Sequence, residues 1–388
     1  MLNIPVATTS DVVERDVWGQ WRLHAYALGS VSHVSTSNPQ VSNRDRVHSR
    51  LIIGDYGIPL YRFATLPELL GAYRDAMDGH RELHSNGILH RDISFGSVFI
   101  APHVERGERG LLVDFDYAAK DHVGEDGSKL YDDGRTGTMS FMSLDVLARQ
   151  RVTVERPSNV SGQAISLEEE LKAIVFEGDN NSMLATTPAE KRPEALRHSV
   201  LHELESFWLI LLWICLKRIR PFTARDHSVG SFHWGDNRWR ASNFIKKFFD
   251  ETVPSSILCE RRTLFENGIS AFDCDVVPAI SPYFAVIVPF VRVIFRVLCE
   301  VYYDRAAGKR DRTDDTSLYD DFLRGLEICL EHKKMLLWDS NLAPDHARDE
   351  YERRVRYGFY SNIDIPPMVQ RVLDLPRPAE PAPSNSEA

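Results

Sequence analysis

Two acidic triplets flank a short strand–turn–strand segment, and this arrangement constrains the fold more than any other feature of the chain. Val98-Phe99-Ile100 and Leu111-Leu112-Val113 are apolar runs separated by the polar stretch Pro102–Gly110, which reads as a hairpin. His90-Arg91-Asp92 stands just before the first run, and Asp114-Phe115-Asp116 just after the second. An antiparallel hairpin returns the chain to the end it left. Asp92 and Asp114 are therefore predicted to converge in space although they lie 22 positions apart.

The surrounding pattern is mixed. Leu66, Leu69, Leu70, Tyr73, Met77, His80, Leu83 and His84 recur at three- and four-residue intervals, which predicts a helix leading into the first triplet. Gly87 follows as a C-terminal cap. Upstream, Leu51-Ile52-Ile53 reads as a strand ending in a turn at Gly54, Gly57 and Pro59, and Val12–Leu28 as a short, poorly spaced helix. Downstream, residues 119–147 read as a loop carrying Arg135-Thr136-Gly137-Thr138. Residues 150–197 read as a polar insertion with one helix near Leu171–Phe176. Leu201–Leu216 is a strongly apolar helix, Asn243–His332 is mostly helical, and Pro376–Ala388 is a disordered tail.

Hydrophobic residues make up 43% and charged residues 26%, a globular balance. The formal net charge of −10 argues against a nucleic-acid partner, which would need clustered basic residues. The five cysteines show no CxxC pair, so they read as reduced thiols, with Cys215 and Cys299 in apolar runs. Phe207–Leu216 is too short to span a bilayer, and Tyr283–Tyr302 is interrupted by Arg292 and Arg296. No membrane association is therefore expected. Met1–Ser10 lacks a signal-peptide pattern, which gives an expected intracellular location, cytoplasm or nucleus.

His90-Arg91-Asp92-Ile93-Ser94, Leu112-Val113-Asp114-Phe115-Asp116, Arg135-Thr136-Gly137-Thr138 with Phe141-Met142, and His202-Glu203-Leu204-Glu205-Ser206-Phe207 together resemble the fungal-type protein kinases. Arg50-Leu51 and Gly57-Ile58-Pro59-Leu60 extend the likeness, which is good over residues 46–148 and 198–216. The resemblance implies an α+β, protein-kinase-like fold, mainly the helical C-terminal lobe with an incomplete N-terminal lobe. It also implies ATP and Mg as cofactors and a Ser/Thr hydroxyl of a protein as substrate. Asp92 matches the catalytic base and Asp114 the metal ligand, with His90 and Arg91 completing the loop. Arg135, Thr136 and Thr138 match the activation segment and Asp145 its acidic end. Glu203 matches the residue that braces the catalytic loop from a central helix.

The chain also departs from the kinase pattern. No lysine precedes Lys120, so nothing upstream matches the phosphate-gripping lysine, and no glycine-rich loop is present. The metal-binding Asn is replaced by Ser97, which is carried as the weaker second ligand. Two readings follow: a protein-kinase-family phosphotransferase, or a pseudokinase binding module with an unknown partner. A small-molecule kinase of the aminoglycoside or choline type is disfavoured by the activation-like segment Asp132–Leu147. The expected division is a small-lobe remnant and hinge at 1–60, catalytic and activation loops at 61–149, the insertion at 150–197, the remaining helical lobe at 198–340 and a C-terminal extension at 341–388. Residues 1–60 are expected to be poorly ordered on their own, because the strand at Leu51–Ile53 lacks partners.

Overall fold

The computed structural model describes residues 57–101, 109–120, 137–157, 196–225, 237–332, 348–356, 370 and 373–374. Ile58–Ala388 forms one unit, separate from Met1–Gly57. The expected strand at Leu51–Ile53, the helices at Val12–Leu28 and Leu171–Phe176, and the Pro376–Ala388 tail lie outside the described residues, as does all but the end of the 1–60 stretch expected to be poorly ordered; of its described residues, Ile58–Pro59 form a strand and Leu60 is buried.

Helix and sheet are mixed, with helix dominant. Helix α1 (Leu66–Ser85) has its start fixed locally. The Thr65 hydroxyl accepts from the Glu68 N–H at 3.1 Å, and the Glu68 carboxylate accepts from the Ala64 N–H at 2.5 Å. Its end is set by Gly87, whose φ of +71° an L side chain adopts only at a cost. The predicted face is buried, with Leu66, Leu69, Leu70, Tyr73, Met77 and His80 all enclosed.

Against this face lies a three-stranded sheet of order β1–β3–β4, formed by β1 (Ile58–Pro59), β3 (Val98–Ile100) and β4 (Gly110–Leu112). The β3–β4 hairpin is antiparallel, with Val98 opposite Leu112 and Ile100 opposite Gly110. Gly110 is required here. A Cβ at that position would sit 1.9 Å from the Ala72 carbonyl oxygen, so β4 presses its bare backbone onto α1. The Gly57–Pro59 stretch, read as a turn, instead contributes β1, which pairs with Phe99 and Ile100. Proline is tolerated there because β1 is an edge strand and need not donate on its open side.

A second departure concerns residues 119–147, read as loop. Ala119–Lys120 is a strand, β5, pairing antiparallel with β2 (Ile88–Leu89) immediately before His90. Farther on, α2 (Leu144–Ala148) starts at Ser143, whose hydroxyl accepts from the Val146 N–H, and ends at Arg149 in the left-handed region. The first residues of the polar stretch after 150 are also part of the core, since Val152 and Val154 are buried.

Helix α3 (Val200–Lys217) runs through the centre with its side chains almost all enclosed. Each fully buried Leu, Ile or Phe contributes about 1.5–3 kcal/mol, which makes α3 the main organiser of the core. A hairpin follows, β6 (Arg218–Arg220) and β7 (Thr223–Ala224). Helices α4 (Asn237–Ile245), α5 (Pro254–Ala271), α6 (Val288–Ala306) and α7 (Ser317–Glu331) complete the helical region anticipated for 243–332. Helix α8 (Arg348–Arg356) lies in the C-terminal extension. Among the described residues, no helix is long and apolar enough to cross a membrane. All five cysteines are free.

Candidate active site

The two acidic triplets meet where the hairpin closes. His90 is buried, and its Nε2 donates to the Val113 carbonyl at 2.9 Å, one residue before Asp114. That bond leaves Nδ1 as an acceptor, which takes the Asp92 N–H at 3.3 Å. Burial pulls the His90 pKa down, against the Glu203 charge and the Val113 bond, so the ring is neutral at physiological pH. The Phe115 ring packs 5.0 Å from it. A single imidazole thus ties the first triplet to the second.

Arg91 and Asp114 both occupy the left-handed backbone region, at φ +67° and +66°. Neither is glycine, and such residues cost about 1–3 kcal/mol each unless their surroundings fix them. The fixing group at Arg91 is Glu203 on α3, whose Oε1 accepts the Arg91 N–H at 2.9 Å. Glu203 is buried and also takes His80 Nε2 on Oε2 at 2.8 Å and His198 Nε2 on Oε1 at 2.5 Å. Burial pushes the Glu203 carboxyl up, but the charge and hydrogen bonds of His198 and His80 outweigh it and hold it well below the usual carboxylate range. His80 is itself fixed by the Tyr319 hydroxyl at 2.6 Å on α7.

Asp92 is half-buried, and its Oδ1 accepts the Thr138 N–H at 2.7 Å. Gly137, with φ +105°, makes this possible, since a Cβ there would come within 2.9 Å of the Arg91 carbonyl oxygen. The structure therefore brings together His90, Arg91, Asp92, Asp114, Thr138 and Glu203. Arg135 and Thr136 lie outside the described residues.

Ser97 is placed differently from the site residues around it. It is fully buried, and its hydroxyl donates to the Ser94 carbonyl at 3.0 Å while accepting the Ser94 N–H at 2.8 Å. These bonds leave one lone pair on the oxygen, but the residue is enclosed, so a cation could reach it only if its surroundings moved. Asp114, by contrast, is exposed. Among the described residues, no group of three or more His, Cys, Asp or Glu is placed to hold a metal ion. Magnesium at Asp114 would accordingly draw most of its oxygens from a nucleotide's phosphates and from water, as this ion commonly does.

Asp145 is buried at the start of α2. Arg305 donates to both of its oxygens, at 2.7 and 2.9 Å, and the Val152 N–H adds a third bond at 2.7 Å. His202 lies 3.3 Å away. Burial raises the Asp145 pKa, and the His202 and Arg305 bonds bring it net below the usual value.

Other fixing groups were given no role by the sequence. Arg261 on α5 is fully buried and donates to the carbonyls of Ser140 and Met142, with the Phe248 ring 5.2 Å from its guanidinium. Burial lowers its pKa to about 10. Glu205, two residues past Glu203 and so on the opposite side of α3, accepts the Leu144 N–H at 2.8 Å and the Tyr302 hydroxyl at 2.7 Å. The segment 140–145 is thus held from α3, α5 and α6 at once.

Burial pushes the Glu205 carboxyl up to about 7, despite the Tyr302 bond and the Arg261 charge. A carboxyl raised in the folded state binds its proton more tightly folded than unfolded. Its contribution is therefore full below about pH 4.5 and is lost as pH rises through 7, by roughly 3 kcal/mol at about 1.4 kcal/mol per pKa unit. Denaturant unfolding from pH 5 to 8 is expected to show stability falling with pH in the native chain and a flatter profile in Glu205→Gln. Identical slopes in the two proteins would remove Glu205 as the titrating group.

Comparison with known proteins adds the family. A profile described as fungal protein kinase matches residues 7–215, more than half of the chain, and a search of curated proteins gives no match. The match begins well upstream of the likeness read from the motifs, takes in the whole 150–197 stretch, and ends inside α3. The chain belongs to the fungal protein kinase family.

Proposed function

We propose that this member of the fungal protein kinase family has a protein-kinase-like fold and serves phosphoryl transfer from ATP to Ser or Thr hydroxyls of a protein. The observation that carries this reading is the bond from the Thr138 N–H to Asp92. It fixes the carboxylate that would orient the attacking hydroxyl against the segment that would receive the substrate. Asp92 is the base, its free oxygen being the one available to take the hydroxyl proton. His90 and Glu203 are positioning residues, holding the loop backbone in its strained form. Asp145, with Arg305, anchors the far end of the segment that carries Thr138 and, in sequence, Arg135 and Thr136.

Asp114 fits a magnesium ligand: it is exposed, set at the hairpin's end and on a backbone held out of the common regions. Bound magnesium nucleotide supplies the transferable phosphoryl group and the charge that neutralises it. Ser97 fits such a role poorly, because it is fully buried.

A second reading, a binding module without turnover, is favoured by one specific observation: Ser97 stands where the metal-binding Asn is expected, and its hydroxyl is fully buried and bonded to Ser94. One experiment separates the two. Mg·ATP is expected to raise the melting temperature of the native chain, by an amount equivalent to about 2.7 kcal/mol at a hundredfold excess over Kd, and to do nothing to Asp114→Ala. Transfer of labelled phosphate to Ser/Thr peptides, absent in Asp92→Asn although that variant keeps the thermal shift, would establish the phosphotransferase. A shift without any transfer would establish the binding module. No shift at millimolar nucleotide would sink both uses of Asp114.

A further inference from the structure

Arg261 on α5 is a cation placed where packing alone does not call for one. It is fully buried, and among the described residues no carboxylate pairs with it. Burying such a charge is costly, and a methionine of similar volume would fill the same space without that cost. What the guanidinium adds is direction, a planar fork of donors with fixed angles between them.

That fork completes the backbone bonding of one short stretch. Met139–Phe141 is a single 3₁₀ turn directly after Thr138. The Thr138 carbonyl accepts the Phe141 N–H at 2.8 Å, and the Met139 carbonyl accepts the Met142 N–H at 3.3 Å. The Phe141 carbonyl takes the Ser206 hydroxyl at 2.7 Å. The carbonyls of Ser140 and Met142 are left over, and Arg261 donates to both. Every carbonyl from Thr138 to Met142 is thus paired, and one rigid group supplies the two that the turn and α3 do not. The same guanidinium reaches the Phe248 carbonyl at 3.4 Å, while the Ser140 hydroxyl donates to the Phe249 carbonyl at 2.6 Å. The turn is pinned to the Lys246–Asp250 stretch as well.

Thr138 stands at the start of this turn, and its N–H is the donor that meets Asp92 at 2.7 Å. No side chain caps that start, and a lone 3₁₀ turn has too few bonds to hold its own direction. The direction of the Thr138 N–H is therefore set from the other end, where Arg261 grips. A ring contact runs alongside: Phe141 lies 5.5 Å from Phe95, three residues after Asp92.

We propose that Arg261 is a positioning residue: by fixing the Ser140 and Met142 carbonyls it aims the Thr138 N–H, and through that bond it orients Asp92. Its consequence for transfer rests on the phosphotransferase reading above, whereas the backbone step does not.

Amide hydrogen exchange followed by mass spectrometry, on full chains carrying Arg261→Met or Arg261→Lys, tests the backbone step. Exchange across residues 138–142 is expected to be at least about tenfold faster in Arg261→Met. A smaller increase is expected in Arg261→Lys, whose ammonium keeps the charge but not the planar fork, and which keeps the test open should the methionine variant not fold. Exchange in α1 should stay native in both. Transfer to a Ser/Thr peptide, per folded protein, is expected to fall at least about tenfold in kcat/KM in Arg261→Met, with the Mg·ATP-dependent thermal shift retained because Asp114 is untouched. Exchange that speeds equally in α1 and in 138–142 would reveal a merely structural role and overturn the proposal. Native exchange across 138–142 would overturn it too, as would native kcat/KM in a variant whose segment has loosened. If the native chain transfers no phosphate, the phosphotransferase reading fails, and exchange alone decides the role of Arg261.

Discussion

Glu203→Ala is expected to lower stability by about 3–5 kcal/mol, the cost of breaking a buried charged network by removing one partner. For a chain of this size that is a fall in melting temperature on the order of 10 °C. Three donors converge on this carboxylate: the Arg91 N–H, His80 Nε2 and His198 Nε2. Alanine leaves all three facing a cavity. The pH dependence gives a second readout. The folded pKa of Glu203 lies below its ordinary value, so its contribution is present above about pH 4.5 and is lost as pH falls through the folded value. The gap between native and Glu203→Ala chains should be widest near neutrality and close in acid. Melts followed by circular dichroism between pH 3 and 7 measure both effects. A melting temperature within a degree or two of native would mean that the network does not hold the loop.

The same substitution is expected to act on the site. Arg91 keeps its left-handed backbone because its amide is held, and Asp92 follows directly. With the brace gone, the Asp92–Thr138 bond loses one of its two fixed ends. Any Asp92-dependent phosphotransfer should therefore fall further than the folded fraction does. Glu203→Gln, which keeps one acceptor for Arg91, is expected to lie between the two.

What could be read from the sequence follows from how each contact is made. Helix α1, the β3–β4 hairpin and α3 show themselves through local periodicity, and the convergence of the His90 and Asp114 segments follows from hairpin geometry alone. Glu203 was legible because it falls in a motif. Its partners were only partly so: His80 appeared as one more member of an apolar face, and its role depends on Tyr319, 239 positions away. Arg261 and Arg305 were invisible for a different reason. A charged residue on a helix reads as solvent-facing unless its counterpart is known, and their counterparts are backbone carbonyls and a carboxylate more than a hundred residues distant. Two-residue strands such as β1 and β5 have no periodicity to detect, so their stretches read as turn and loop. For Ser97, spacing gives a position along the loop but neither its burial nor its bonds to Ser94.

The C-terminal extension, outside the family match, carries the second large effect. Arg354 on α8 is fully buried and donates to both oxygens of Glu68 at 2.8 Å, and also to the Arg62 carbonyl. Its guanidinium lies 5.1 Å over the Phe222 ring, and Tyr351 packs edge-on against the same ring. One helix thus ties down the start of α1 and the tip of the β6–β7 hairpin. Arg354→Met fills the same space without the charge. It leaves Glu68 enclosed with its Ala64 N–H bond and the helix N-terminus as compensation, and the helix dipole is worth at most about 2 kcal/mol. A net loss of about 3 kcal/mol is expected. Adding Glu68→Gln removes the stranded charge, so the double variant should recover part of that loss, and the non-additivity measures the pair itself. Denaturant unfolding of the native chain, both single variants and the double variant completes the cycle. Additive losses would mean that the two side chains do not meet in solution. A coupled loss makes α8 part of the folded unit, and the Arg62 turn and Phe222 hairpin then depend on a segment that lies some 130 residues beyond the last family-matched position.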